Sequence, residues 1–308
     1  MSITGVRIKD LSVFSGLFKL SFGNGKGVNI LIGENGTGKT TLLKCLHLNS
    51  VVHMEGSSDN VARIVNTPMD EFHETPNLPK AVIFVLGNSD YKDSVYIPEK
   101  DLLSNAKGLP ESAMFGKAQF SMYEIGVILK ARVLANAPEQ PLYRRICEII
   151  GGEPQHDGQS FYMKRQNVDE PIDFFHEASG FRKLALLALL IRNEQIKSGT
   201  VLLWDEPENS LNPELLPKLV EILLELAQNG VQIFIATHDY NLVRHFDVRK
   251  NKGIPVLYHN LTKQAGNGQI TCKSYAKYTE MSDNLLERAN ENLFEAVVLD
   301  VMGDENDE

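Results

Sequence analysis

The sequence predicts an α/β fold, a mixed β-sheet flanked by helices with an inserted helical and loop-rich lid region. Three stretches carry that expectation. Val28–Ile32 is an apolar run that ends at Gly33 in a glycine-rich turn, after which a helical pattern extends from Thr41 to Leu48. Val201–Trp204 is a second run, ending in Asp205-Glu206, and Val231–Ala236 is a third, ending in Thr237-His238. Apolar runs this short and uniform suit strands buried on both faces, and sheets of that kind bind ligands at the carboxyl ends of their strands.

The first of these turns has a specific chemistry. Gly33, Gly38, Lys39 and Thr40 fit the spacing G-x-x-x-x-G-K-[ST], with Glu34, Asn35, Gly36 and Thr37 inside the turn and Thr41 directly after it. This is the pattern of a phosphate-binding loop. Glycines let the backbone curl with no Cβ in the way, so successive N–H groups can point at one phosphate. The helix that follows adds its unpaired N–H groups and the positive end of its dipole. Lys39 would neutralise the β- and γ-phosphates, and the Thr40 hydroxyl would complete the shell of a Mg²⁺ ion.

Ahead of the loop, Val6-Arg7-Ile8 and Phe18–Phe22 alternate as half-buried strands do, and Gly23–Gly27 reads as a hairpin turn between Phe22 and Val28. Phe14 reads as a core residue rather than a base-stacking one. Past Leu48 the composition turns polar and proline-rich, so residues 51–174 read as an insertion, with 1–50 and 175–302 as the two parts of the main domain. Within the insertion, Ala81–Leu86, Ser94–Ile97 and Phe161–Lys164 are short strands. Lys107–Arg145 holds six Lys and Arg against three Asp and Glu, a mix that suits a solvated face and leaves a partner or nucleic acid open.

Beyond the insertion, Ser179-Gly180 opens the helix-like Leu184–Ile191 region and could offer a hydroxyl, N–H groups and a dipole to an anion; taken alone it is an ordinary N-cap. Asp205 suits the shell of a metal ion, and Glu206 suits a base that polarises an attacking water. A helix then runs to Asn229 with Leu219, Ile222, Leu223 and Leu226 on one face, Pro213 or Pro217 in its first turn and Gly230 as its stop. His238 stands at the tip of the next strand. Residues 282–302 read as one last helix, and 303–308 as a disordered acidic tail.

The 308 residues are 43% hydrophobic, enough for a substantial core, and carry a net charge of −9 from 31 Lys and Arg against 40 Asp and Glu. An acidic chain is a poor sequence-blind ligand for nucleic acid. Cys45, Cys147 and Cys272 are scattered, as reduced thiols are, and no apolar run approaches a membrane span. A cytoplasmic protein is expected.

In this order the features resemble the ATP-binding cassette (ABC) class of P-loop NTPases. Gly33–Thr40 looks like Walker A, Ser179-Gly180 like the signature motif, Val201–Glu206 like Walker B, Asn209–Asn212 like the D-loop and His238 like the switch histidine. Asp205-Glu206-Pro207-Glu208-Asn209, the Tyr96–Lys100 strand end and the final helix are similar to the soluble AAA/ABC-like ATPases. That group includes RecF, SMC heads and the ATPase parts of OLD-type nucleases, many of them from bacterial antiviral defence modules. The resemblance covers about residues 1–50 and 175–300.

It implies an ABC-like head that binds ATP and Mg²⁺ and hydrolyses ATP. Lys39, Glu206 and His238 would be catalytic, and Gly33, Glu34, Asn35, Gly36, Thr37, Gly38, Lys39, Thr40, Thr41, Ser179 and Gly180 would hold the nucleotide. Thr40 and Asp205 would hold the metal. The resemblance also implies a homodimer closed around ATP and a separate effector or partner protein; nucleic acid stands as a further partner class, and from the lack of a long apolar run no membrane partner is expected. There are two departures from the pattern. Phe181 and Arg182 replace the signature's glycine and glutamine, and no glutamine follows Tyr96-Ile97, where Glu99 and Lys100 are the two candidates for its place. A RecF-like ATP-dependent DNA clamp and the nucleotide-binding subunit of an ABC transporter are the competing readings.

Overall fold

A computed structural model of the chain describes residues 2–47, 62–65, 82–87, 94–106, 121–132, 140–250 and 253–304. Ile3–Leu11 (β1) and Phe14–Ser21 (β2) form an antiparallel hairpin, with Val6 opposite Leu20 and Ile8 opposite Phe18. Along β2 the alternation is visible as burial: Phe14, Phe18 and Leu20 are buried while Leu17 and Lys19 face out. Ala62–Val65 (β4) and Val82–Gly87 (β5) complete this sheet in the order β2-β1-β5-β4.

The second sheet carries the site. It comprises Val28–Gly33 (β3), Ser94–Ile97 (β6), Val201–Asp205 (β10), Gln232–Thr237 (β11), Val256–Lys263 (β12) and Ile270–Tyr275 (β13). Their order is β13-β12-β3-β11-β10-β6, and every neighbour pair except β12–β13 is parallel. Both faces are covered, as a parallel sheet requires. Ile30, Leu202, Trp204, Ile233 and Ile235 pack into one core; Leu31, Leu203, Phe234 and Ala236, one step along each strand, pack into the other. Glu153–His156 (β7), Phe161–Lys164 (β8) and Ile172–Asp173 (β9) form a small antiparallel meander.

Seven helices lie within the described residues: Lys39–Leu46 (α1), Met122–Ala131 (α2), Pro141–Ile150 (α3), Ser179–Arg192 (α4), Leu216–Gln228 (α5), Tyr240–Arg249 (α6) and Leu285–Asp304 (α7). Leu42, Leu43 and Leu46 of α1 join β1 and β2 in the second core, so α1 sits between the two sheets. Both prolines mark the start of α5: Pro213 opens a short 3₁₀ turn, Pro213–Leu215, and Pro217 lies in the helix's own first turn. Gly230 ends the segment at φ +90°.

Two expectations change. The 23–27 turn does not close a hairpin, because β2 and β3 belong to different sheets. β3 is already flanked by β11 and β12, which leaves no edge for β2, so the turn is a crossover between sheets. The 51–174 stretch, for its part, is not set apart from the two sheets: β5 pairs with β1, and β6 pairs with β10. The last helix forms as expected, but Leu293, Phe294, Val297 and Leu299 on it are exposed by 65, 68, 52 and 71%. Residues 305–308 lie outside the described residues.

Candidate functional site

Because β3, β11, β10 and β6 run parallel, their carboxyl ends meet at one edge of the sheet. Gly33 ends β3 and the chain curls into α1 through Gly36 at φ +80° and Gly38 at φ +87°. A Cβ on Gly38 would lie 2.7 Å from the Phe14 ring and from Val13, so the β1–β2 hairpin supports the loop from below. Phe14 is 1% exposed, a core residue. The Thr37 hydroxyl donates to the Glu34 carbonyl at 2.8 Å. The Lys39 ammonium donates to the carbonyls of Gly33 at 2.7 Å and Glu34 at 3.1 Å. Burial holds that ammonium below its ordinary pKa, against the opposing pull of Glu206, Asp205 and Glu208. Glu34, Asn35, Gly36 and Thr40 stay exposed on the rim, and Thr41 is half-buried behind them.

The end of β10 brings carboxylates to this loop. Asp205 is buried, and it accepts hydrogen bonds from the Thr40 hydroxyl and, at 3.4 Å, from the Tyr96 hydroxyl. Burial pushes its carboxyl above the usual range. A hydroxyl and a carboxylate in contact, with further acidic groups beside them, are the donor set a hard divalent cation takes, so these residues fit Mg²⁺. Glu206 has φ +45°, a conformation that costs a non-glycine residue on the order of 1–3 kcal/mol. Three bonds hold it there: its N–H donates to the Ala236 carbonyl at 2.9 Å, and its carbonyl accepts from the Lys183 ammonium at 2.8 Å and from the Asn209 N–H at 3.1 Å. Glu206 Oε1 lies 2.9 Å from His238 Nδ1, and His238 is half-exposed. Lys39, Thr40, Asp205, Glu206 and His238 therefore form one cluster.

Ser179 and Gly180 open α4, the helix whose Lys183 holds the Glu206 carbonyl. The N-cap of α4 is Ala178, so Ser179 is the first helical residue and caps nothing. Gly180 backs onto the turn after β10, where an added Cβ would lie 3.0 Å from the Ser210 carbonyl. The two departures from the signature pattern have structural roles. Phe181 packs against the main core, and Arg182 pairs with Asp101 at 2.8 Å and donates to the Phe174 carbonyl at 2.9 Å. At the tip of β6, Glu99 accepts from Asn209 at 2.6 Å and Lys100 lies 3.9 Å from Glu124. Of the basic excess, Arg145 pairs with Glu221 and Glu225, and Lys130 donates to the Ser94 carbonyl. Residues 107–120 and 133–139 lie outside the described residues.

Three residues of the cluster's surroundings were not singled out from the sequence, Tyr96, Lys183 and Thr237, while Glu208 was legible only as an alternative base to Glu206. Lys183 had a visible signal. A lysine directly ahead of the apolar 184–191 run falls on a helix buried on nearly all sides, where an ammonium needs a partner.

Two family models match the chain. One, described as "AAA domain, putative AbiEii toxin, Type IV TA system", matches residues 131–244, and another, "AAA domain", matches 6–60. Together they take in the phosphate loop, Asp205-Glu206 and His238. By these matches the chain is similar to the ABC class of AAA ATPases. Among the curated relatives is the arginine transport ATP-binding protein ArtP of Haemophilus influenzae. It is 24% identical over 247 residues, which span 78% of this chain and 84% of that protein. Another is the energy-coupling factor transporter ATP-binding protein EcfA of Methanothermobacter thermautotrophicus, 25% identical over 222 residues, which span 71% of this chain and 56% of that protein. In fold the chain is similar to an SMC head solved with the C-winged helix domain of ScpA. The TM-score is 0.52 at 10% identity, over 91% of this chain and 99% of that one. Among the described residues no helix is long and apolar enough to cross a membrane.

Proposed function

We propose that the chain binds ATP with Mg²⁺ and hydrolyses it, as a cytoplasmic homodimer that holds two nucleotides between its subunits and acts on a separate partner protein. The observation that carries this reading is the double contact at the foot of the 33–40 loop. Thr40 bonds Asp205, and Glu206 bonds His238, so metal donors and a general base stand beside the phosphate-binding turn. Lys39 and the loop amides bind the phosphates; Thr40 and Asp205 hold the metal, which would supply charge neutralisation to the β- and γ-oxygens. Glu206 takes the proton of the attacking water, and His238 fixes its carboxylate.

The position of Ser179 and Gly180 supports the dimer. Gly180 lies against the Ser210–Leu211 turn after β10, and on this reading the γ-phosphate side of each site takes Ser179 and Gly180 from the other subunit. A second copy would supply them across the 209–212 turn. Exposed apolar residues on α7 support the partner protein. The first family description, which includes a toxin–antitoxin system, supports a place in a bacterial defence module. A transporter subunit is the second reading, favoured by the names of the curated relatives. The replaced signature residues and the absence of a glutamine after Ile97 weigh against it.

Light scattering tests the dimer. Glu206→Gln with ATP and Mg²⁺ should show twice the mass of the nucleotide-free protein, and adding Ser179→Arg should restore the monomer while ATP stays bound. A monomer with trapped ATP, or a dimer indifferent to both ATP and Ser179→Arg, would refute the shared site. Co-purification with a membrane partner would favour the transporter reading.

A further inference from the structure

Glu208 is a third carboxylate of the cluster, and neither metal binding nor water activation uses it. It lies two residues past Glu206 on the turn after β10. Its Oε1 accepts from the Thr237 hydroxyl at 2.5 Å, whereas its Oε2 is buried with no hydrogen-bond partner among the described residues. Thr237 Oγ1 accepts in turn from the Asp239 N–H at 2.9 Å, and the Asp239 carboxylate caps α6 by accepting from the Leu242 N–H at 2.6 Å. Two rungs therefore join the turn to the tip of β11, Glu206–His238 and Glu208–Thr237, and they are built from adjacent residues on the β11 side.

The rungs differ in freedom. His238 is half-exposed and its ring can rotate, so the first rung does not fix itself. The second is withdrawn from water and anchored through Asp239 to a helix. A buried carboxylate with one oxygen unpaired is costly to keep, which argues for a role beyond filling space. The same turn reaches other elements: Asn209 donates to Glu99 at the tip of β6, and Ser210 lies against Gly180.

We infer that Glu208 is a positioning residue that, through Thr237, holds His238 against Glu206 and so couples the setting of the base to the 209–212 turn. The consequence for turnover rests on the ATPase reading; the geometry does not. Whatever presses on the turn, a second subunit included, then reaches His238 through Glu208. The charged groups around Glu208 are Lys39 from α1, Lys183 from α4, Asp239 at the β11–α6 junction and Glu206 on its own turn. This mixed field lets burial dominate the state of its carboxyl.

The test uses the full-length protein and the ¹⁵N resonances of the His238 imidazole, assigned by their absence in His238→Gln. The Nδ1 signature of a hydrogen bond to Glu206 should be present in the wild type and in Glu208→Gln, which keeps an acceptor for Thr237. It should be lost in Thr237→Val and Glu208→Ala. ATP turnover should fall on the order of tenfold in those two variants with ATP affinity unchanged, and the double variant should fall no further than either single one. An intact His238 signature in Thr237→Val, or losses that multiply in the double variant, overturns the inference. Should Glu208→Ala not fold, Thr237→Val against Glu208→Gln decides. A wild type that turns over no ATP, yet shows the His238 pattern, would refute the ATPase reading alone.

Discussion

Glu208→Gln should flatten the dependence of stability on pH, and the structure sets the size of the effect. Burial lifts the Glu208 carboxyl from 4.5 to about 7, outweighing the Thr237 hydrogen bond, which pulls it down. Between those values the folded protein keeps a proton that the unfolded chain has released. The stabilisation is therefore complete below pH 4.5 and is lost as pH rises through about 7. At 1.36 kcal/mol per pKa unit, the loss from about pH 5 to about pH 8 is roughly 2.5 kcal/mol. Glutamine has the same shape, still accepts from Thr237 and cannot titrate. Urea unfolding at several pH values would measure the effect as the difference between wild type and variant, which cancels Asp205 and the other titrating groups they share. The variant should gain on the wild type by about that amount across the range. Parallel stability curves would refute the argument and place the Glu208 carboxyl in contact with water.

Three further outcomes are expected. Lys39→Ala should abolish ATP binding in a calorimetric titration while the circular dichroism spectrum is unchanged, because the ammonium donates to two loop carbonyls but is not part of either core. Glu206→Gln should bind ATP as the wild type does and lose turnover by roughly a hundredfold or more in a phosphate-release assay; wild-type turnover would reassign the base. Gly38→Ala puts a Cβ at φ +87° and 2.7 Å from the Phe14 ring, so thermal unfolding should show a loss of about 1–3 kcal/mol. An unchanged midpoint would mean that the loop does not hold this shape.

Strands β3, β10 and β11 and the chemistry at their ends were legible because each is apolar on both faces and stops at a glycine or at charge. Residues within a few positions of one another then determine the outcome. Gly33, Gly38, Lys39 and Thr40 belong to a single turn whose backbone geometry their spacing dictates. The start and stop of α5 were readable for the same reason: proline and glycine act on their own dihedral angles. The separation of β2 from β3 was not, because a turn between two strands looks alike whether they pair or part. What parts them is competition from β11 and β12, which lie more than two hundred residues further along the chain.

The same holds within the cluster. That Asp205 and Glu206 end a buried strand is a local property of an apolar run meeting two acids. That Glu206 bonds His238, that Lys183 holds its peptide and that Glu208 grips Thr237 are contacts across 32, 23 and 29 positions, made by elements packed together for hydrophobic reasons unrelated to those polar groups. Ser179 shows the limit most plainly. Its place beside a glycine at a helix start was evident, but whether it faces its own phosphate loop depends on where α4 docks against the sheet. Burial of Leu184–Ile191 governs that docking and sets Gly180 against the 210–211 turn, because apolar packing outweighs the preference of one half-buried hydroxyl.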